Sequence, residues 1–318
     1  MKRLITALMI CVFAVTFAGC GGNSGSGNSN ADATVSSSNE EAVVQNSKPI
    51  QIATKPMTEQ YILSEMLKLL IENDTDYTVE ITKGIGGGTS NIQPAMEKGE
   101  FDLYPEYTSS GWMLVLKHDA DIDDEQMFED LKTEYKEKYN MSWVGLYGFN
   151  NTYAVAVRKA VADEYNLKTT SDLATVAGKL VFGGNPDYIE REDGFGVLCD
   201  TYGLDFKTVK DIDIGLKYEA MEHGDIDVTN AYTTDAQLSR DDVTVLEDDK
   251  HLQMNYFCST VVRNEALDEY PGLYDALMKM DGILSDKEMA TLNYQVEVDG
   301  KNEAEVAREY LVEKGLIK

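Results

Sequence analysis

One thirteen-residue pattern occurs twice in this chain. Ala95–Tyr107 reads AMEKGEFDLYPEY, and Ala220–Tyr232, 125 residues further on, reads AMEHGDIDVTNAY. Ala, Met, Glu, Gly, Asp and Tyr coincide, six of thirteen positions. Each copy describes the end of a helix, a glycine stop, a short strand in which apolar and acidic residues alternate, and a tyrosine just past the strand's carboxyl end. The separation lies far outside the ~20–50-residue periods of solenoids. The copies are therefore expected at equivalent corners of two lobes with similar topology. If the lobes face each other, Tyr107 and Tyr232 point into one cleft from opposite sides.

The surrounding residues support lobes of alternating strands and helices. Ile50–Ala53 reads as a strand, and Thr58 is placed to cap a helix with Ile62, Met66, Leu69 and Leu70 on one face. Tyr77–Thr82 alternates as a strand, and the turn Gly84–Gly88 leads through Thr89, Ser90 and Asn91 into a helix over Ile92–Lys98. Such alternation implies an α/β fold of open sheets, whose ligands bind beyond the carboxyl ends of the strands. The glycine turn is neither a G-x-G-x-x-G nor followed by G-K-[ST], which excludes a P-loop. Its glycines are expected to let backbone approach a ligand and to present amides at a helix N-terminus.

A net charge of −28, with no clustered Lys or Arg, excludes a nucleic-acid partner. Lys2 and Arg3 precede the apolar run Leu4–Phe17, small residues and Cys20, the plan of a secretory signal over residues 1–19 and too short for a membrane span. Phe17-Ala18-Gly19-Cys20 resembles a bacterial lipobox, which makes Cys20 the expected lipidation site; the alternative is an ordinary signal peptide. Residues 20–47 then form a lipidated cysteine and a Gly/Ser/Asn linker with too little apolar surface to fold. Only Cys199 and Cys258 remain in the folded part, and they read as buried small residues before they read as a disulfide. With His118, His223 and His251 scattered, neither a metal site nor a cofactor is expected.

Tyrosine is the unusual count, 18 against 9 Phe and 2 Trp. Tyr61, Tyr135, Tyr139, Tyr218, Tyr270, Tyr274 and Tyr294 lie in helical patterns and are expected to be packing residues with wet hydroxyls. Tyr107, Tyr153, Tyr232 and Tyr256 instead sit beside polar, loop-like triplets. Several ring faces around one cavity attract a cation that has no N–H to donate, as quaternary ammonium does, and a desolvated contact of this kind is worth about 2 kcal/mol or more.

At these residues the chain resembles the substrate-binding proteins of ABC importers for glycine betaine, choline and carnitine, from about Lys48 to Lys318. The resemblance rests on Gly86–Asn91, Asp102–Thr108, Tyr147–Ala154, Glu190–Gly194 and Ala231–Asp235. It implies a two-lobed type II binding-protein fold with two hinge crossings, lobe 1 comprising residues 48–146 and 256–318 and lobe 2 residues 147–255. It also implies an aromatic cage of Tyr107, Tyr153, Tyr232 and Tyr256. Arg191 and Lys55 would hold a ligand carboxylate, since arginine's planar fork donates two parallel hydrogen bonds. Asn151, Asn91, Ser110 and Thr58 would supply further polar contacts. Where many relatives carry Gly-Thr after Tyr-Thr, this chain has Ser109-Ser110-Gly111, so the carboxylate end of the pocket is expected to differ. Some relatives take other trimethylammonium compounds, including ergothioneine.

The expected protein is a monomer, held outside the cell membrane by its lipid, that closes on its ligand and delivers it to a permease whose ATPase is a separate subunit. A rival from another class is an enzyme on the same scaffold, with Cys258 the one plausible nucleophile. Against it, no Ser/His/Asp or Cys/His pairing is suggested and the acidic excess reads as solvated surface. A tethered sensor or adhesin is the second rival.

Overall fold

The structure is a computed structural model that describes residues 48–119, 122–190, 194–213 and 215–318. The signal, Cys20 and linker expected over residues 1–47 lie outside the described residues, as does Arg191.

The described residues contain the strands β1 (Ile50–Ala53), β2 (Val79–Thr82), β3 (Leu103–Tyr107), β4 (Met141–Asn150), β5 (Tyr153–Arg158), β6 (Val181–Gly184), β7 (Thr208–Asp211), β8 (Val228–Tyr232), β9 (Val243–Leu246) and β10 (Phe257–Arg263). They form two five-stranded sheets of one plan, ordered β2-β1-β3-β10-β4 and β7-β6-β8-β5-β9. In each sheet three parallel strands are followed by two that alternate in direction. The expected α/β architecture with two lobes is the one that forms. Because β10 joins the first sheet after the whole second sheet has been made, the chain passes between sheets twice. β4 runs through Tyr147 to Asn150, so the first passage is Asn151 and Thr152, and the second lies between residues 247 and 256.

Parallel strands are covered on both faces, and β1 shows it: Ile50 and Ile52 enter one core cluster and Ala53 another. The helix α1 (Thr58–Asp74) buries Ile62, Met66 and Leu70 as expected, but also Leu63, Leu67 and Ile71, while Leu69 is only partly buried. Its apolar surface is wide because the sheet lies on one side and the carboxyl-terminal helices on another. Thr58 is the first helical residue rather than the cap; Met57 holds that position and makes no side-chain cap bond. β2 begins at Val79, two residues later than the alternation suggested, because the Tyr77 ring packs edge-on against Tyr270 at 5.0 Å.

The helix stops and the shared aspartates of the repeat are reproduced in both lobes. The helices α2 (Thr89–Glu97) and α3 (Lys217–His223) end at Gly99 and Gly224, with φ of 74° and 76°. Glu100 N–H donates to Ala95 C=O at 3.0 Å, and Asp225 N–H to Ala220 C=O at 2.9 Å. This six-to-one closure needs a left-handed residue, which glycine supplies without a Cβ clash. The shared aspartates match as well. Asp102 accepts from the Gln51 amide and pairs with Arg263 on β10, while Asp227 accepts from the Val181 amide and pairs with Arg158 on β5. In each lobe this aspartate staples the central strand to both neighbours. The identical Asp is thus structural, and the identical Tyr ends β3 and β8.

After β10 the chain adds helices to the first sheet, among them α4 (Asp286–Glu297) and α5 (Glu303–Glu313). Asn293 of α4 reaches across and donates to Thr234 C=O at 2.9 Å. No helix of the described residues is long and apolar enough to cross a membrane.

Candidate functional site

The residues that end β3 and β8, Tyr107 and Tyr232, line one cleft of about 810 Å³, inside the range of about 300–1,000 Å³ usual for small-ligand sites. Tyr153 and Tyr256 line it too. The β-ladder explains half of this convergence, since Tyr153 on β5 lies directly opposite Tyr232 on β8. Their rings stack with centroids 4.8 Å apart and planes at 26°, and their hydroxyl oxygens lie 3.3 Å apart. Tyr107 and Tyr256 belong to the first sheet's side. Tyr107 is only 5% exposed, with its hydroxyl donating to Glu59.

Tyr256 is fixed by backbone. Its N–H donates to Asn150 Oδ1 at 2.7 Å, and its C=O accepts from Asn151 N–H at 3.1 Å. Thr152 Oγ1 donates to Met254 C=O at 2.5 Å. These bonds lace the two passages between the sheets together beside the cleft.

Of the expected polar contacts, Lys55, Asn151, Ser110 and Thr58 line the cleft. Asn151 Nδ2 donates to Glu59 Oε1 at 3.0 Å. The Lys55 ammonium is committed to Glu106, whose side chain is fully buried, and lies 4.6 Å from the centre of the Tyr107 ring. Asn91 is a correction. It does not line the cleft; its Nδ2 donates to Gly86 C=O at 2.6 Å and closes the glycine turn, so Thr89 to Asn91 become the first turn of α2. None of the turn's glycines lines the cleft either.

Sequence reasoning missed Glu59, Asp235, Asn293 and the thioethers of Met57, Met113 and Met254, all of which line the cleft. Acidic residues that read as surface are in three cases buried, namely Glu59, Asp102 and Glu106. Glu59 is disguised by position, because an acid in the first turn of a helix is ordinarily a solvated dipole partner. Glu106 is disguised by the proline and tyrosine around it.

Glu59 Oε1 takes the bonds from Tyr107 and Asn151, whereas Oε2 is buried with no partner among the described residues. Burial pushes its carboxyl above the ordinary value of 4.5, with the Tyr107 hydrogen bond the largest opposing effect. A carboxyl whose folded value is raised binds a proton in the native state that the unfolded chain has released. Its contribution is then complete at low pH and is lost as pH climbs through the folded value. Glu59→Gln, which keeps a neutral side chain at every pH, is expected to gain stability relative to the wild type as pH rises from about 4 to 8. Urea midpoints of both proteins across that range measure it, and a constant difference would mean that Glu59 titrates alike in the folded and unfolded chains.

Cys258, the one nucleophile suggested by sequence, is fully buried in the core and does not line the cleft; burial raises its thiol well above the ordinary range. A nucleophilic cysteine requires the opposite environment. Cys199 is half-buried, its thiol pushed up to about 11 by burial, and both cysteines are free. Among the described residues no group of three or more His, Cys, Asp or Glu side chains is placed to hold a metal ion.

Residues 48–313 match the family model described as the substrate binding domain of ABC-type glycine betaine transport system. The chain is 42% identical over 269 residues to an ergothioneine transport permease/ergothioneine binding protein of Helicobacter pylori (strain G27), covering 85% of this chain and 48% of that protein. It therefore spans about half the length of that relative. It is 34% identical over 264 residues to a carnitine transport binding protein of Listeria monocytogenes, covering 82% of this chain and 85% of the other. A crystal structure described as a glycine betaine/carnitine/choline ABC transporter superposes with a TM-score of 0.78 at 32% identity, over 85% of this chain and all of that one.

Proposed function

The chain belongs to the family of substrate-binding domains of ABC-type glycine betaine transport systems, and from that membership we propose that its cleft captures a quaternary ammonium compound for import. The observation that carries this reading is the convergence of Tyr107, Tyr153, Tyr232 and Tyr256 from four separate segments and both sheets on one cavity. Aromatic faces attract a permanently charged, donor-free cation and discriminate against water-seeking ammonium groups. Glycine betaine, choline, carnitine and ergothioneine all carry that group. The 42% identity to a protein named for ergothioneine favours an amino-acid-derived betaine as a second reading.

In this proposal the ligand first meets the tyrosines of one sheet, and the other sheet closes over it by bending at Asn151–Thr152 and within residues 247–256. Closure then requires ligand, because rings from both lobes are satisfied only when a cation lies between them. Arg191 and Lys55 are assigned to the carboxylate end, Asn151, Ser110 and Thr58 to polar contacts. Cys20 carries the lipid that holds the chain outside the membrane, where a permease with a separate ATPase subunit receives the closed form.

Calorimetry of the purified protein against glycine betaine, choline, carnitine and ergothioneine tests the reading. Binding of at least one of them well below millimolar is expected. Failure of all four overturns the cage assignment, and chemical turnover of a bound compound overturns the transport reading. Arg191→Ala is expected to weaken carboxylate-bearing ligands by about tenfold or more and to spare choline. An equal loss for choline would show that Arg191 shapes the pocket instead of reading a charge.

A further inference from the structure

The two cage tyrosines that end the central strands share a device that the repeat does not explain. In the first lobe the Tyr107 amide donates to Glu106 at 2.7 Å, and Glu106 is neutralised by Lys55, buried to 7% exposure. In the second lobe the Tyr232 amide donates to Asp235 Oδ2 at 3.2 Å, and the same oxygen accepts from Lys217 Nζ at 2.8 Å. Lys217 is buried to 3% exposure, and its ammonium also donates to Asn230 C=O at 3.0 Å. Glu106 precedes its tyrosine and Asp235 follows at a distance of three residues; Lys55 follows β1, whereas Lys217 opens α3. The partners occupy unrelated sequence positions, so the arrangement was not copied with the repeat. What recurs is the physical requirement: a strand-end amide fixed by a carboxylate that a buried ammonium holds in place.

We propose that Lys217 and Asp235 are positioning residues for ligand binding, setting the Tyr232 ring in the cleft as Lys55 and Glu106 set the Tyr107 ring in the other lobe. This rests on the cleft being the ligand site. Asp235 is suited to the task because it holds Tyr232 from two directions. Its carboxylate accepts the Tyr232 amide, and its own N–H donates to Tyr232 C=O at 2.9 Å. The Tyr218 hydroxyl adds a third anchor on Oδ2 at 2.7 Å, a role beyond the packing its helical pattern suggested. From the far side, Asn293 of α4 holds Thr234, in the middle of the same turn. The ring so placed is the one stacked on Tyr153, so a shift of the turn displaces two aromatic faces at once. A cage ordered before the ligand arrives loses less freedom on binding.

The test uses the purified protein with 3-fluorotyrosine, the Tyr232 fluorine signal being assigned by its loss in Tyr232→Phe. Lys217→Met removes the ammonium. Tyr218→Phe removes one hydroxyl and leaves no charge unpaired, so it carries the test if Lys217→Met does not fold. Without ligand, the Tyr232 signal is expected to move or broaden in either variant. The dissociation constant of whichever of glycine betaine, choline, carnitine and ergothioneine binds the wild type is expected to rise about tenfold for Lys217→Met and about threefold for Tyr218→Phe. An unmoved Tyr232 signal overturns the proposal whatever the affinity does, and a moved signal with unchanged affinity overturns it equally. If none of the four binds the wild type, the trimethylammonium reading fails, while the signal of the unliganded protein still decides whether the pair positions the ring.

Discussion

Lys55→Met is expected to lower the unfolding free energy by about 3–5 kcal/mol, the usual consequence of removing one partner from a buried ion pair. Glu106 would keep the donors Thr89 Oγ1 and Tyr107 N–H, each at 2.7 Å, but would have no counter-charge in a site its side chain does not leave for solvent. A lower urea midpoint at unchanged slope measures the loss. Lys55→Met combined with Glu106→Gln is expected to recover most of it, because a neutral pair of similar shape carries no desolvated charge. A midpoint unchanged in the single variant would show that the Lys55–Glu106 pair contributes nothing to stability. The same variant separates two roles for Lys55. If its ammonium reads a ligand carboxylate, glycine betaine binding falls and choline binding does not; if it only supports Glu106 and Tyr107, both fall together.

The second large effect is on binding. Tyr232→Ala is expected to weaken any trimethylammonium ligand by about 2 kcal/mol or more, roughly thirtyfold in dissociation constant. The substitution removes one aromatic face and also releases Tyr153, which is stacked on it at 4.8 Å. The two substitutions should therefore be non-additive, with a coupling of about 0.5 kcal/mol or more in a Tyr153/Tyr232 double-mutant cycle. Tyr232→Phe keeps the ring face and removes the hydroxyl, which lies 3.3 Å from that of Tyr153, so it is expected to bind within about threefold of the wild type. If Phe proved as damaging as Ala, a hydrogen bond and not the ring face would be holding the ligand. Tyr107→Ala combines a loss of binding with a loss of stability, because Tyr107 is nearly buried and its hydroxyl is one of two bonds to Glu59.

The four tyrosines were legible because each stands at an element boundary beside polar residues. Two of them were marked twice, by that context and by the repeat. Asn91 was misjudged for a local reason: an asparagine after three glycines fits a ligand loop and a closed turn equally well, and only the 2.6 Å contact to Gly86 distinguishes them. The second strand starts two residues later than the alternation suggested, where Tyr77 packs on Tyr270 instead. Thr58 lost its expected capping role to Met57 but kept a place in the cleft.

By itself the sequence determined the paired α/β lobes, the placement of Tyr107 and Tyr232 at matching corners, and the aromatic character of the site. These follow from patterns of a few neighbouring residues, since periodicity, glycine stops and strand ends are local properties of the chain. Only the tertiary structure decided which charges are buried. Glu59, Asp102, Glu106, Lys55 and Lys217 look like any other members of a strongly acidic chain until distant segments enclose them. Burial is set by what the rest of the fold brings near: Lys55 meets Glu106 across 51 positions and Lys217 meets Asp235 across 18. Inside, a charge must find its partner or give up its ionisation, and those pairings hold the tyrosines where the repeat put them.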